Sequence, residues 1–312
     1  MSEDLYFCYE SLNKSCPKII YPTVIRVLLH IFYMVVIVIT LCGNLLVIIS
    51  IAHFRQLHTP TNYLILSLAV TDFLMGGFIM PPYMVHIIES CWYFGDVFYR
   101  YYAVCQPLHY QTKITTCAAV IMILVCWSVS VCVGFGMIFL ELNILGIEDF
   151  YYENVACVGG CILFQSQASS SISSILSFYI PGFIMMVIYQ KIFHVAQKQA
   201  QSIHIACNNV HSENSTPSSN KERKATKTLA IVMGIFLSFY APFFMCNLIN
   251  PFINYSIPVV LLEILFCITY LNSTCNPVIY GFYYSWFRKA FKIIIFGKVF
   301  QADSSSANLS TE

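Results

Sequence analysis

Six long apolar runs constrain the fold of this chain more than any other feature of its sequence. They lie at about residues 24–52, 61–88, 117–140, 170–193, 227–250 and 257–281. A helix needs about 20 mostly apolar residues to cross the hydrocarbon core of a bilayer, and each run reaches that length. Only 10% of the residues are charged, against about 25% in an ordinary soluble domain. The sequence therefore predicts an all-α membrane protein with six clear spans.

One shorter stretch has a different character. From Trp286 to Phe296, aromatic residues alternate with Arg288, Lys289 and Lys292. This pattern is typical of an amphipathic helix that lies on a membrane surface. A frayed continuation of the sixth run is the alternative.

The distribution of basic residues predicts the orientation, because cytoplasmic loops carry an excess of Lys and Arg. Basic residues cluster near the ends of the loop at 194–226 and beyond the sixth run, whereas 141–169 holds four acids and no Lys or Arg. We therefore expect an extracellular N-terminus (1–23), a transmembrane bundle (24–296) and a cytoplasmic tail (297–312). The sequon at Asn13 fits glycosylation of an outside N-terminus. The polar segment 201–221 predicts a disordered cytoplasmic loop.

This orientation requires one crossing that the composition does not favour. With the N-terminus outside, the third run must start inside, so residues 91–116 must cross the membrane. That segment contains Asp96, Arg100 and Lys113 and no apolar window of 17 residues. A charge at the bilayer centre costs about 2.5–3.5 kcal/mol on insertion scales. The sequence therefore predicts that one helix is missing between positions 98 and 100.

Three polar residues lie in the middle of apolar runs. They are Asn44 in the first run, Asp72 in the second and Asn276 in the last. A carboxylate inside a membrane is by default a hypothesis of function, and three such groups at similar depth predict a small cation site, such as one for sodium. Hydrogen bonding that only holds the helices together is the alternative.

These residues, together with Trp127, Pro181, Pro242 and the Asn276–Tyr280 sequence Asn-Pro-Val-Ile-Tyr, resemble the rhodopsin-like G-protein-coupled receptors. Longer segments resemble the trace amine-associated receptors: residues 54–62, 90–95, 100–105, 270–274 and 286–290. Segments 135–143 and 296–301 are most similar to the first subtype of that family. The resemblance implies a rhodopsin-like seven-helix bundle that lacks helix three. The missing helix would carry the aspartate that pairs with the ligand ammonium and the cysteine that bonds the second outer loop.

The resemblance also implies roles for particular residues. The ligand-binding candidates are Ser173, Ser177, Phe243, Phe244 and Tyr270. The candidates for switching and G-protein coupling are Arg100, Tyr189, Tyr240, Pro277 and Tyr280. Serines in a serine-rich span are often satisfied by their own backbone, and Arg100 without its helix has a plain alternative as an arginine at the membrane surface.

Five cysteines lie on the predicted outer side: Cys8, Cys16, Cys91, Cys157 and Cys161. An odd number in an oxidising compartment leaves one unpaired. The resemblance indicates Cys161 as the cysteine that lost its partner. Cys157 could pair with either Cys8 or Cys16.

The function implied by the resemblance is a plasma-membrane receptor that senses biogenic or trace amines. Its partners would be a small-molecule amine, a heterotrimeric G protein and membrane lipid. The net charge of +1 argues against nucleic-acid binding. The sequence shows neither a nucleophile–base set nor a metal-binding cluster, so it predicts no enzyme activity, no metal site and no cofactor. Two alternatives stay open: a truncated, non-signalling relic retained in the endoplasmic reticulum, and a six-span channel or transporter.

Overall fold

The computed structural model describes residues 6–11, 14–93, 116–160, 164–187, 190, 217–301, 304–307 and 309. Its regular structure is helical. Span one is Thr23–His53. Span two joins Pro60–Leu74, a π turn at Met75–Ile79 and Met80–Glu89. The remaining helices are span three (Thr116–Phe139), span four (Gln167–Val187), span five (Pro217–Ile249), span six (Val259–Tyr283) and a surface helix (Ser285–Ile295).

These helices confirm the predicted all-α membrane fold. Five of them are long and apolar enough to cross a membrane, and span three contributes a shorter apolar stretch, Ile123–Met137. The surface helix begins and ends within one residue of the predicted amphipathic stretch. Residues 94–115, where the missing helix is predicted, lie outside the described residues.

The beginning of span five differs from the prediction. The disordered loop was predicted to reach residue 221, but the helix already begins at Pro217. Proline is favoured in the first turn of a helix, where its missing N–H has no partner to lose. The following Lys221, Glu222, Arg223, Lys224 and Ala225 all have high helix propensity. The last five residues of the predicted loop, 217–221, are therefore helical, and its first part, 201–216, lies outside the described residues.

Prolines shape two of the spans. Proline within a helix removes one backbone hydrogen bond and clashes with the carbonyl four residues earlier. Span two has a π turn at Met75–Ile79 just before Pro81 and Pro82, and span four has one at Ile175–Tyr179 just before Pro181. A π turn widens the helix by one residue. Each π turn therefore lessens the clash between the proline that follows it and the preceding turn.

The spans pack in series. Span three packs on two, two on one, one on six, six on five and five on four, and the surface helix packs on span one. Half of the most apolar stretch of span two is buried (50%), but only 6% of that of span five. The well-packed core of the molecule therefore lies between spans one, two and six.

Two groups of buried side chains form that core. We call the first the tyrosine cluster; it contains Val36, Ile37, Met75, Ile79, Met80, Tyr83 and Tyr270. We call the second the tail cluster; it contains Val47, Ile51, Phe54, Leu57, Ile65, Ala69, Tyr280, Phe287, Ala290 and Leu309. The tail cluster joins spans one, two and six to the surface helix and to the end of the chain.

Candidate functional site

The three polar residues predicted to form a cation site meet in the buried core. The amide nitrogen Nδ2 of Asn276 donates to Oδ2 of Asp72 over 2.8 Å. Asn44 Nδ2 donates to the carbonyl oxygens of Thr40 at 2.9 Å and Ser273 at 3.2 Å. One turn of span six, from Ser273 to Asn276, therefore connects spans one and two.

The oxygen atoms of this group have the chemistry of a cation site. Asp72 and Asn44 are almost fully buried, and Oδ1 of Asn44 has no hydrogen-bond partner among the described residues. Carboxylate and amide oxygens are the ligands that hard cations prefer, and a buried oxygen without a partner requires an explanation. The bond between Asp72 and Asn276 also fits the alternative of interhelical bonding. The geometry is compatible with both roles.

A close approach of two helices supports this group. A Cβ atom added at Gly43 would lie 2.7 Å from the Cβ of Pro277. Span one therefore comes so near to span six that only glycine fits at this position. Ser273 and Asn276, which bond to Asn44 and Asp72, both lie in the turn of span six that leads up to Pro277.

The aromatic candidates for ligand binding lie on two connected surfaces. Phe243 packs on Phe266 with ring centroids 5.1 Å apart, and Phe266 packs on Tyr270 at 5.1 Å and on Tyr83 at 5.3 Å. We call these four residues the aromatic wall. Phe244 stacks on Phe178 of span four at 5.0 Å. The sequence prediction missed Tyr83, Phe178 and Phe266, although Phe266 lies one helical turn before Tyr270 and so shares its face.

The two candidate serines do not form the shared surface that their spacing predicts. Ser173 donates to the carbonyl of Ser170 at 3.2 Å and accepts from Gln165 at 3.3 Å, whereas Ser177 is exposed. The physical reason is the π turn at Ile175–Tyr179. A residue inserted into the turn breaks the rule that residues four apart share one face. Ser173 therefore fits the alternative, in which a serine of the span hydrogen-bonds to the backbone of its own helix.

The candidate switch residues are only partly described. Arg100 and Tyr189 lie outside the described residues. Tyr240 packs on Phe236 at 4.8 Å and on Phe244 at 6.2 Å. Pro277 and Tyr280 are buried in span six, and Tyr280 belongs to the tail cluster.

The N-terminal segment is bonded to the ends of two other segments. Disulfides join Cys8 to Cys91 and Cys16 to Cys157. The second pairing is one of the two alternatives left open by the sequence, whereas the first was not foreseen, although Cys91 was one of the five outer cysteines. Cys161 and Asn13 lie outside the described residues.

Ion pairs reinforce this attachment. Lys18 Nζ donates to Glu89 at 2.8 Å, and Arg26 pairs with the same carboxylate. The hydrogen bond to Glu89 raises the pKa of Lys18, because it favours the charged ammonium. The outer end of span two is therefore joined to the N-terminal segment by the Cys8–Cys91 disulfide and the Lys18 ion pair, and to span one by the Arg26 ion pair.

A second acidic residue lies between spans two and six. Glu263 Oε1 is 3.5 Å from Nε2 of His86, and the hydroxyl of Tyr83 donates to the Glu263 carbonyl at 3.4 Å. The Glu263 side chain is 28% exposed, whereas that of His86 is only 6% exposed. Within the described residues, no group of three or more His, Cys, Asp and Glu could hold a metal ion.

Comparison with known proteins gives a consistent result. The sequence profile of the 7 transmembrane receptor (rhodopsin family) matches residues 43–99 and 98–280. The chain is 46% identical to trace amine-associated receptor 1 of Macaca mulatta and 45% identical to that of Homo sapiens, in each case over 98% of both chains. It is 42% identical to trace amine-associated receptor 4 of Mus musculus, over 99% of this chain and 96% of that one.

The same comparisons bear on the missing helix. The family profile matches in two pieces that meet at residues 98–99, which is where the sequence predicts the gap. The alignment with the macaque relative spans 333 positions, but this chain has 312 residues, so at least 21 positions have no residue of this chain. That is about the length of one membrane-spanning helix. The chain belongs to the trace amine-associated receptors, within the rhodopsin family of seven-transmembrane, G-protein-coupled receptors.

Proposed function

We propose that this receptor senses small amines at the plasma membrane and signals through a heterotrimeric G protein. The observation that carries the proposal is the aromatic wall, in which Phe243, Phe266, Tyr270 and Tyr83 bring spans two, five and six together. Aromatic faces bind the ring of an arylalkylamine by stacking, and they attract its cation. The names of the relatives refer to trace amines.

The disulfides support the proposed orientation. They place Cys8, Cys16, Cys91 and Cys157 on one side of the membrane, and disulfides persist in oxidising surroundings. The N-terminus, the end of span two and the segment before span four then face outward. Span three then begins on the cytoplasmic side. The segment between spans four and five and the tail at 297–312 then lie in the cytoplasm.

Span six connects the aromatic wall to the opposite side of the bundle. Tyr270 lies in the wall, Asn276 bonds to Asp72, Pro277 contacts span one, and Tyr280 lies in the tail cluster. Ten residues of helix, from Tyr270 to Tyr280, cover about 15 Å. A ligand that favours one arrangement of span six would shift the population toward the conformer that binds the G protein.

The similarity over 98% of both chains favours a receptor over a channel or transporter. The proposal is tested in membranes from cells that express the full chain with a heterotrimeric G protein. We expect 2-phenylethylamine to stimulate nucleotide exchange on the G protein. The matched control is a chimera in which the segment of the macaque relative that this chain lacks is inserted between Phe98 and Tyr99. A response by the chimera and none by the chain itself would contradict the proposal.

A further inference from the structure

We propose that Glu263 is the anion that binds the ammonium group of the amine in this chain. The inference rests on the proposed function and names the residue on which recognition of the ligand depends. It assigns the site to primary arylalkylamines, whose ring would lie on the aromatic wall and whose ammonium would reach outward along span six.

An anion is needed because an ammonium group that leaves water without a partner loses a large solvation energy. Three carboxylate side chains of the spans are described. Asp72 is 3% exposed and already accepts a hydrogen bond from Asn276. Glu89 is paired with both Lys18 and Arg26. Glu263 faces a histidine, which carries a charge only when it is protonated, and its side chain is 28% exposed.

The position of Glu263 matches the aromatic wall. Glu263 and Phe266 are three residues apart on span six, and Tyr270 follows four residues later, so the three side chains share one helix face. Phe243 of span five packs on Phe266 with ring centroids 5.1 Å apart, and both rings are half-buried. The carboxylate thus lies about one helical turn, roughly 5 Å, outward of a half-open aromatic surface. A two-carbon linker between ring and ammonium spans a separation of this size.

The neighbouring histidine has an unused hydrogen-bonding atom. Nδ1 of His86 is buried and has no partner in the described part of the chain, while its Nε2 faces Glu263 at 3.5 Å. Buried polar atoms are nearly always hydrogen-bonded, so one without a partner indicates that a further polar group belongs here. The ring of Trp92 lies 6.3 Å from that of His86 and bounds this end of the site.

The test measures ligand binding by the purified full chain, without a G protein. The apparent melting temperature is recorded against increasing 2-phenylethylamine, and against 2-phenylethanol as a neutral counterpart. We expect the amine, but not the alcohol, to stabilise the wild type. Glu263→Gln should weaken amine binding by at least about tenfold, since a charge-assisted hydrogen bond is lost. Glu263→Asp keeps the charge and should retain part of the binding.

The matched control is Glu153→Gln, which removes an exposed acid from the segment before span four and should bind like the wild type. Equal amine affinity for the wild type and Glu263→Gln would overturn the assignment of Glu263 and leave the proposed function standing. The assignment of Glu263 is likewise overturned if Glu263→Asp binds the amine no better than Glu263→Gln, provided that both variants are equally well folded. Amine binding that depends on Glu263 without stimulating nucleotide exchange would instead refute the proposed function. A wild type that binds no amine at all would overturn both.

Discussion

Replacing Gly43 with alanine tests the close packing that holds the polar core together. The added Cβ would lie 2.7 Å from the Cβ and 2.8 Å from the Cγ of Pro277, whereas carbon atoms pack best at about 3.5–4.0 Å. Spans one and six must therefore separate by about 1 Å at this point. The Cβ and Cγ of Pro277 are part of its pyrrolidine ring, which is fixed to the backbone of span six. The contact therefore cannot be relieved by rotating a side chain.

The magnitude follows from a comparison with two other helical glycines. At Gly136 in span three and Gly234 in span five, an added Cβ would have no heavy atom of a neighbouring part of the described chain within 4 Å. All three alanine variants gain about 0.5–1 kcal/mol of helix stability, but only Gly43→Ala also incurs an overpacking cost of about 1–3 kcal/mol. The difference between the variants isolates that cost.

The assay is the apparent melting temperature of the purified protein in detergent. At about 2–4 °C per kcal/mol, Gly43→Ala should melt a few degrees to about ten degrees below Gly136→Ala and Gly234→Ala. It should also weaken any dependence of stability on sodium, because the bonds to Asn44 and Asp72 lie beside the contact. If Gly43→Ala were as stable as the two controls, spans one and six would not be packed as described.

Three further predictions concern other parts of the molecule. Asp72→Asn should abolish the stabilisation by sodium chloride, relative to choline chloride, that we expect of the wild type, since it removes the only formal charge among the three predicted cation ligands. Leu309→Ala should release the end of the chain from the tail cluster, where Leu309 is 2% exposed; hydrogen exchange of residues 304–309 should rise without loss of the spans. Cys16→Ser with Cys157→Ser should lower stability by about 4–5 kcal/mol, as expected for a loop of this length, because the disulfide closes a separation of 141 residues. If the variant with both serine substitutions melted at the same temperature as the wild type, that value would be contradicted.

Much of the fold could be predicted because membrane spans have a strong sequence signal. A long apolar run is sufficient to predict a helix, and polar residues such as Asp72 and Asn276 stand out against it. The placement of these two residues in hydrogen-bonding contact followed from their similar depth. The gap near residue 98 was also predictable, because the orientation indicated by the basic loops requires one more crossing than the six apolar runs supply.

Other features carry no comparable signal. The π turn at Ile175–Tyr179 adds one residue to a turn without changing the apolar run, so the exposure of Ser177 could not be foreseen. The pairing of Cys8 with Cys91 depends on how the N-terminal segment folds back, and cysteine spacing alone does not determine connectivity. Leu309 is a single apolar residue in a polar tail, so no periodicity indicates its burial. The partnership of Glu263 with His86 joins two spans that are far apart in sequence.

The proposed receptor function is tested most directly by the activation of the G protein in intact cells by 2-phenylethylamine, normalised to the receptor displayed at the surface. An N-terminal epitope labelled without permeabilisation counts the displayed molecules and reports the orientation of the N-terminus. We expect surface labelling and an amine-evoked activation of the G protein that the Glu263→Gln variant lacks. Absence of surface label, or a labelled chain that gives no response while the chimera with the inserted segment responds, would contradict it and would favour the non-signalling relic.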